Sequence, residues 1–138
     1  MNSQIKIWKY SFLATLGFHA LYQFGFAINT LLQPQSLEAL FAFNALATPE
    51  SYLLLLIVSF GQFLLTVLAI LALYWTNKSQ ISGVIVGMAV GCYFLLLGIV
   101  GIITVDYSIT LLIDVIRGLL TLILGFTLVN KFKNQTTK

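Results

Sequence analysis

Residues 52–75 read YLLLLIVSFGQFLLTVLAILALYW. The stretch carries no charge and lacks the alternation of a membrane β-strand. About 20 such residues in helical form cross the ~30 Å hydrocarbon core of a bilayer. The stretch therefore predicts a transmembrane helix, and three others resemble it. They run from Tyr10 to Leu32, from Ile81 to Thr104 and from Ile109 to Val129. The breaks at 76–80 and 105–108 are short and polar, which favours antiparallel neighbours. The expected fold is all-α, an integral membrane four-helix antiparallel bundle forming one domain over residues 1–138.

Composition agrees. Of 138 residues, 59% are hydrophobic and 8% charged, and the mean hydropathy is +0.99. A water-soluble chain of this size could not hide so much apolar surface. The net charge of +3 comes from residues at span ends, with no basic run interleaved with aromatics, so nucleic acid is excluded as a partner. Cys92 is the sole cysteine, so neither an intrachain disulfide nor a cysteine metal cluster can form. In an apolar run it reads as a small hydrophobe.

Lys6 and Lys9 precede the first span, Lys78 lies between the second and third, and Lys131, Lys133 and Lys138 follow the fourth. Four crossings put all six on one side, with Glu38, Glu50 and Asp106 on the other. Trp8, Tyr10, Tyr74 and Trp75 mark the basic side, and Tyr52 and Tyr107 the opposite one. The positive-inside rule then predicts cytoplasmic termini. Short loops and no targeting segment point to a multi-pass protein of a bacterial inner membrane. Lys6 and Lys9 resemble the n-region of a signal peptide, but the apolar run exceeds a usual h-region and no Ala-x-Ala site follows. The first span is expected to be retained.

The link from Gln33 to Ser51 holds its own helical pattern over about 36–47. Ser36 is a plausible N-cap, Glu38 suits the first turn, and Pro49 reads as a stop. A short interfacial helix is expected, as a connector or as a lid over the bundle mouth.

Polar groups inside the spans carry the most information, because a central charge costs roughly 2.5–3.5 kcal/mol on insertion scales. In span four Asp114 and Arg117 are three apart and pair on one face, which Thr110 and Thr121 extend. Counting the helical rise puts them roughly 8 and 12 Å from the outer end. Span one presents His19 and Gln23 on one face beside Tyr22, and span two presents Ser59, Gln62 and Thr66. These reach similar depth, so His19, Gln23, Gln62, Asp114 and Arg117 are the candidate polar centre. One reading is a ligand site for an anionic or polar head group on Arg117, with His19 or Asp114 handling protons. The other is an interhelical hydrogen-bond network around an intrahelical ion pair. Span three instead carries a small-xxx-small ladder of Gly83, Gly87 and Gly91, a packing face toward the bundle or a second subunit.

No nucleotide loop, paired-histidine metal motif, Cys-x-x-Cys or Ser/His/Asp set is present, and the four carboxylates are dispersed. No metal or other cofactor is expected, and His19 alone is too little for haem or quinone. The exit of span one, Leu31-Leu32-Gln33-Pro34, the segment Leu37-Glu38-Ala39-Leu40-Phe41 and Asp114-x-x-Arg117-Gly118 resemble the DoxX-like group of small four-helix bacterial membrane proteins, and the BphX-like proteins of similar size. Many of that group carry an arginine in span two, where this chain has none. The resemblance implies a four-span layout and a link to redox or catabolic systems, but no catalytic residues. Three functions stay open. The first is a non-enzymatic protein binding a lipid or small amphipathic molecule or acting as an accessory subunit. The second is a membrane enzyme or oxidoreductase subunit using the same centre. The third is a structural subunit assembling with itself or a membrane partner through the glycine face.

Overall fold

The computed structural model describes residues 3–33, 49–105 and 109–136. They form helices α1 (Ser3–Leu32), α2 (Pro49–Asn77), α3 (Ile81–Val105) and α4 (Ile109–Thr136). All four are long and apolar enough to cross a membrane. Their lengths of 30, 29, 25 and 28 residues correspond to roughly 38–45 Å at the helical rise. That exceeds the hydrocarbon thickness, so the helix ends extend beyond it. The expected short helix at 36–47 lies outside the described residues, as do Glu38 and Asp106 of the charge argument.

Helix bounds run wider than the apolar stretches. α1 begins at Ser3 and α4 continues to Thr136, because hydropathy marks the oily part of a helix and not where its hydrogen bonds stop. No Gly or Pro interrupts Lys131–Thr136, and Lys133 in the last turn suits the helix dipole. Pro49, read as a stop for the preceding segment, opens α2, and that segment lies outside the described residues. At the first helical position its missing N–H removes no hydrogen bond.

Each helix packs on its chain neighbours, and α4 returns to α1; α3 with α4 is the most extensive seam and α1 with α4 the loosest. Buried positions recur at alternating steps of three and four, as in Ser59, Gln62, Thr66 and Ala69 of α2. That is the 3.5-residue repeat of knobs-into-holes packing. Large apolar side chains such as Leu21, Phe60 and Ile103 cover the outside, and Cys92 lies there too.

One end of the bundle holds the start of α1 and the end of α4. There Ile5, Phe12, Leu16, Ala72, Val84, Leu128 and Phe132 form an apolar cluster spanning all four helices. At the same end α2 closes with Ser79 N–H bonding the Thr76 carbonyl and Gln80 N–H the Trp75 carbonyl. Ser79 has φ 59°. This is a Schellman motif with serine in the left-handed position usually given to glycine. Lys9, buried on α1, donates to the Asn77 carbonyl at 2.6 Å and to Ser79 Oγ at 3.1 Å.

The three glycines of the α3 ladder meet different neighbours. A Cβ at Gly83 would strike the α2 backbone at Thr76, one at Gly87 the Phe12 ring, and one at Gly91 the Thr121 side chain. A second close backbone approach joins α3 and α4. A Cβ at Gly118 of α4 would lie 2.5 Å from Leu95 N and 2.6 Å from the Gly91 carbonyl oxygen. Contacts Met88–Gly125, Gly91–Gly118 and Gly98–Leu111 run in opposite residue order along α3 and α4.

Candidate functional site

Arg117 organises the site. It and Asp114 are one turn apart on α4, both buried, with Nη2 2.5 Å from Asp114 Oδ1. The contact is an ion pair without hydrogen-bond alignment at Oδ1. The guanidinium faces are covered by rings, its Cζ lying 3.8 Å from the Phe94 centroid and 4.5 Å from that of Tyr22. Desolvated cation–π contacts contribute on the order of 0.5–2 kcal/mol each, comparable with the cost of holding the charge in hydrocarbon.

Gln23 fills the edge of the guanidinium. Its amide is oriented by its partners, since oxygen and nitrogen are told apart only by what they face. The oxygen accepts from Arg117 Nη1 at 2.9 Å and Nη2 at 2.5 Å, and the nitrogen donates to Gln62 Oε1. Four helices thus converge: Gln23 and Tyr22 from α1, Gln62 from α2, Phe94 from α3, and the ion pair from α4. Arg117 Nε is buried without a partner.

His19 lies one turn deeper. Its ring stacks on the far face of Phe94, with centroids 5.1 Å apart and planes at 16°. The layers therefore run Tyr22, Arg117, Phe94, His19. Thr121 donates its hydroxyl hydrogen to the Arg117 carbonyl at 2.7 Å. The 2.8 Å contact between His19 Nε2 and Thr121 Oγ1 must then be donated by His19. Nδ1 carries the lone pair and is buried unpartnered.

Beside this cluster is a cavity of about 390 Å³. Gln23, Gln62, Asp114 and Arg117 give it a polar end; Tyr22, Phe26, Ile57, Tyr93, Phe94 and Leu97 give it apolar and aromatic walls. It extends to Thr110 and Leu111 near the start of α4 and reaches the bundle surface at Ile57, Gly61 and Tyr93, all exposed. A Cβ at Gly61 would meet no atom within 4 Å. Toward the termini the His19–Thr121 layer and then the apolar cluster close the bundle. A shallower groove follows the α1/α4 seam at Thr15, Phe18 and Ile116, with Arg117 between it and the cavity.

Of the five residues expected in a polar centre, four line this cavity and His19 stands behind Phe94. Phe94 is a site residue that the pattern of polar groups misses, although it continues the Gly83-Gly87-Gly91 face by three residues. Ser59 and Thr30 are buried with unpartnered hydroxyls, and Thr66 donates to the Gln62 carbonyl at 2.9 Å. Among the described residues no three metal-ligating side chains converge. No protein-family model, curated protein or solved structure matches this chain.

Proposed function

We propose that this chain is an antiparallel four-helix protein of a bacterial inner membrane, with cytoplasmic termini, that holds an amphipathic molecule in the cavity beside Arg117. The polar head sits at the Asp114–Arg117 pair. The tail lies along Phe26, Ile57 and Leu97 and leaves toward lipid past Gly61. The observation that carries this reading is a buried arginine, paired and stacked, lining a cavity of about 390 Å³ that reaches the lipid-facing surface. A purely structural ion pair would be enclosed by packed side chains, and a conduit would continue through the bundle. Here the apolar cluster blocks the other end. Lipids and lipid-like molecules are the partners this geometry suits. The lysine distribution supports the orientation, and the layout is compatible with an accessory membrane subunit of the kind the DoxX-like resemblance implies.

The test is native mass spectrometry of protein extracted from its membrane. Wild type is expected to retain a lipid-sized adduct that Gly61→Phe loses while melting as wild type does. An unchanged adduct set in Gly61→Phe and in Arg117→Met would sink the proposal. For topology, a membrane-impermeant maleimide added to intact inverted vesicles should label a cysteine at Ser3, in a Cys92→Ser background, but not one at Gln33. The reverse pattern would overturn the orientation.

A further inference from the structure

We infer that the head group held at the Asp114–Arg117 pair is uncharged, with neither an anionic nor a cationic group, and presents both a hydrogen-bond acceptor and a donor, as the hydroxyl and ester groups of a glyceride do. This rests on reading the cavity as an amphiphile site and names the class of molecule it takes.

The first ground is charge. Asp114 and Arg117 sum to zero, and they are the charged residues among those lining the cavity. Gln23, Gln62 and Thr110 are neutral. The nearest other titratable group behind the wall is His19, whose bonding leaves it a neutral Nε2–H ring: a proton on Nδ1 would be a second buried cation without a partner, one ring away from the guanidinium. Lys9 is at the termini end, engaged by Asn77 and Ser79. An anionic head would have to compete with Asp114 for one arginine and would leave a net negative charge in a low-dielectric site. Burying an uncompensated charge is strongly unfavourable. A cationic head meets the mirror-image problem at Asp114.

The second ground is what the pair leaves over. Two rings take the faces of Arg117, and Asp114 and Gln23 take its terminal nitrogens. The polar groups that line the cavity beside the pair are then the Gln23 and Gln62 amides and the Thr110 hydroxyl, which offer donors and acceptors without formal charge. A head with a carbonyl or ether oxygen next to a hydroxyl matches such groups, while an anionic oxygen cluster repels Asp114. The walls at Phe26, Ile57 and Leu97 suit an acyl chain.

The test compares three probes with the same oleoyl chain, so that the tail cancels: monooleoylglycerol (uncharged), oleoyl lysophosphatidylglycerol (anionic) and oleoyl lysophosphatidylethanolamine (zwitterionic). Each is titrated into delipidated protein in neutral detergent and read by native mass spectrometry. Monooleoylglycerol is expected to half-saturate at a concentration about tenfold below either lysophospholipid, equivalent to about 1.4 kcal/mol. Asp114→Asn, which keeps the shape and leaves Arg117 uncompensated, is expected to shift the ratio at least about tenfold toward the anionic probe. Equal or tighter binding of either lysophospholipid by wild type overturns the inference while leaving the amphiphile site standing. So does an unchanged ratio in a folded Asp114→Asn. Retention of none of the three overturns both. If Asp114→Asn does not fold, the wild-type ratio decides alone.

Discussion

The two ends of this bundle use the same 3.5-residue repeat and reach opposite results. At the termini end the inward positions are Phe12, Leu16, Val84, Leu128 and Phe132, and they fill the space between the helices. Further along, the same stripes carry Gln23, Ser59, Gln62 and Asp114, and a cavity of about 390 Å³ remains. In water a void of this kind would favour collapse. In hydrocarbon no hydrophobic force drives helices together; close packing and polar contacts do. The packed end has both, with the Lys9 cap and glycines that let backbones touch. At the hollow end the polar side chains bond to each other around Arg117 and leave apolar walls such as Ile57 and Leu97 without partners across the gap. The packed end also carries the three-residue turn Lys78–Gln80 that joins α2 and α3.

Removing the charge that holds the hollow end together should give the largest effect. Arg117→Met leaves Asp114 buried and unpaired and is expected to cost about 3 kcal/mol or more. Asp114→Leu/Arg117→Met removes both charges and should recover most of that stability while abolishing adduct retention. Thermal melting in detergent and native mass spectrometry read the two separately. If the double variant is as unstable as Arg117→Met, the pair is not the source of the cost.

The α3–α4 seam should break next. Gly118→Leu drives a side chain against the backbone at Leu95 and Gly91, a clash expected to cost roughly 2–3 kcal/mol and to lose monodispersity. Gly87→Leu meets the ends of Phe12 and Leu16 instead. It should cost less, because rings can shift where a backbone cannot. Gly61→Leu, in open space at the cavity rim, should leave the melting temperature unchanged. A destabilised Gly61→Leu would mean that this rim is packed in the membrane and that the contrast between the two ends is false.

Much of this arrangement is legible in the residues. The four helices follow from uninterrupted apolar stretches, and the inward face of α4 follows from Asp114 and Arg117, which have nowhere else to go. Their depth match with Gln23 and Gln62 follows from counting the helical rise. Three things do not follow. The sequence treats Lys9 as one more interfacial lysine, because its partners at Asn77 and Ser79 lie 68 and 70 residues away. Phe94 is missed because an aromatic in an apolar span has no local mark of its role, which depends on the arginine and histidine on either side. His19 falls at the right depth but behind a ring, and depth alone does not distinguish a wall from what stands behind it.

The smallest expected effects test the packed end, and they come from the turn that ties it. Lys9→Met removes a charged donor from the Asn77 carbonyl and from Ser79 Oγ. Charge-assisted bonds of this kind contribute about 1.5–3 kcal/mol where buried. Lys9 sits at the membrane boundary, where water can replace it, so about 1 kcal/mol is the expected loss. Ser79→Gly pulls in two directions. Glycine relieves a left-handed φ that costs a side-chain-bearing residue about 1 kcal/mol, while the lost Oγ removes one of the two Lys9 acceptors at 3.1 Å. The net should lie within about 0.5 kcal/mol of zero on that arithmetic. Combining the two changes separates the terms: once Lys9 is methionine, Ser79→Gly no longer costs a bond and should become stabilising. If Ser79→Gly has the same effect with and without Lys9, then Lys9 holds the turn through Asn77 alone, and the serine is present for reasons other than that contact.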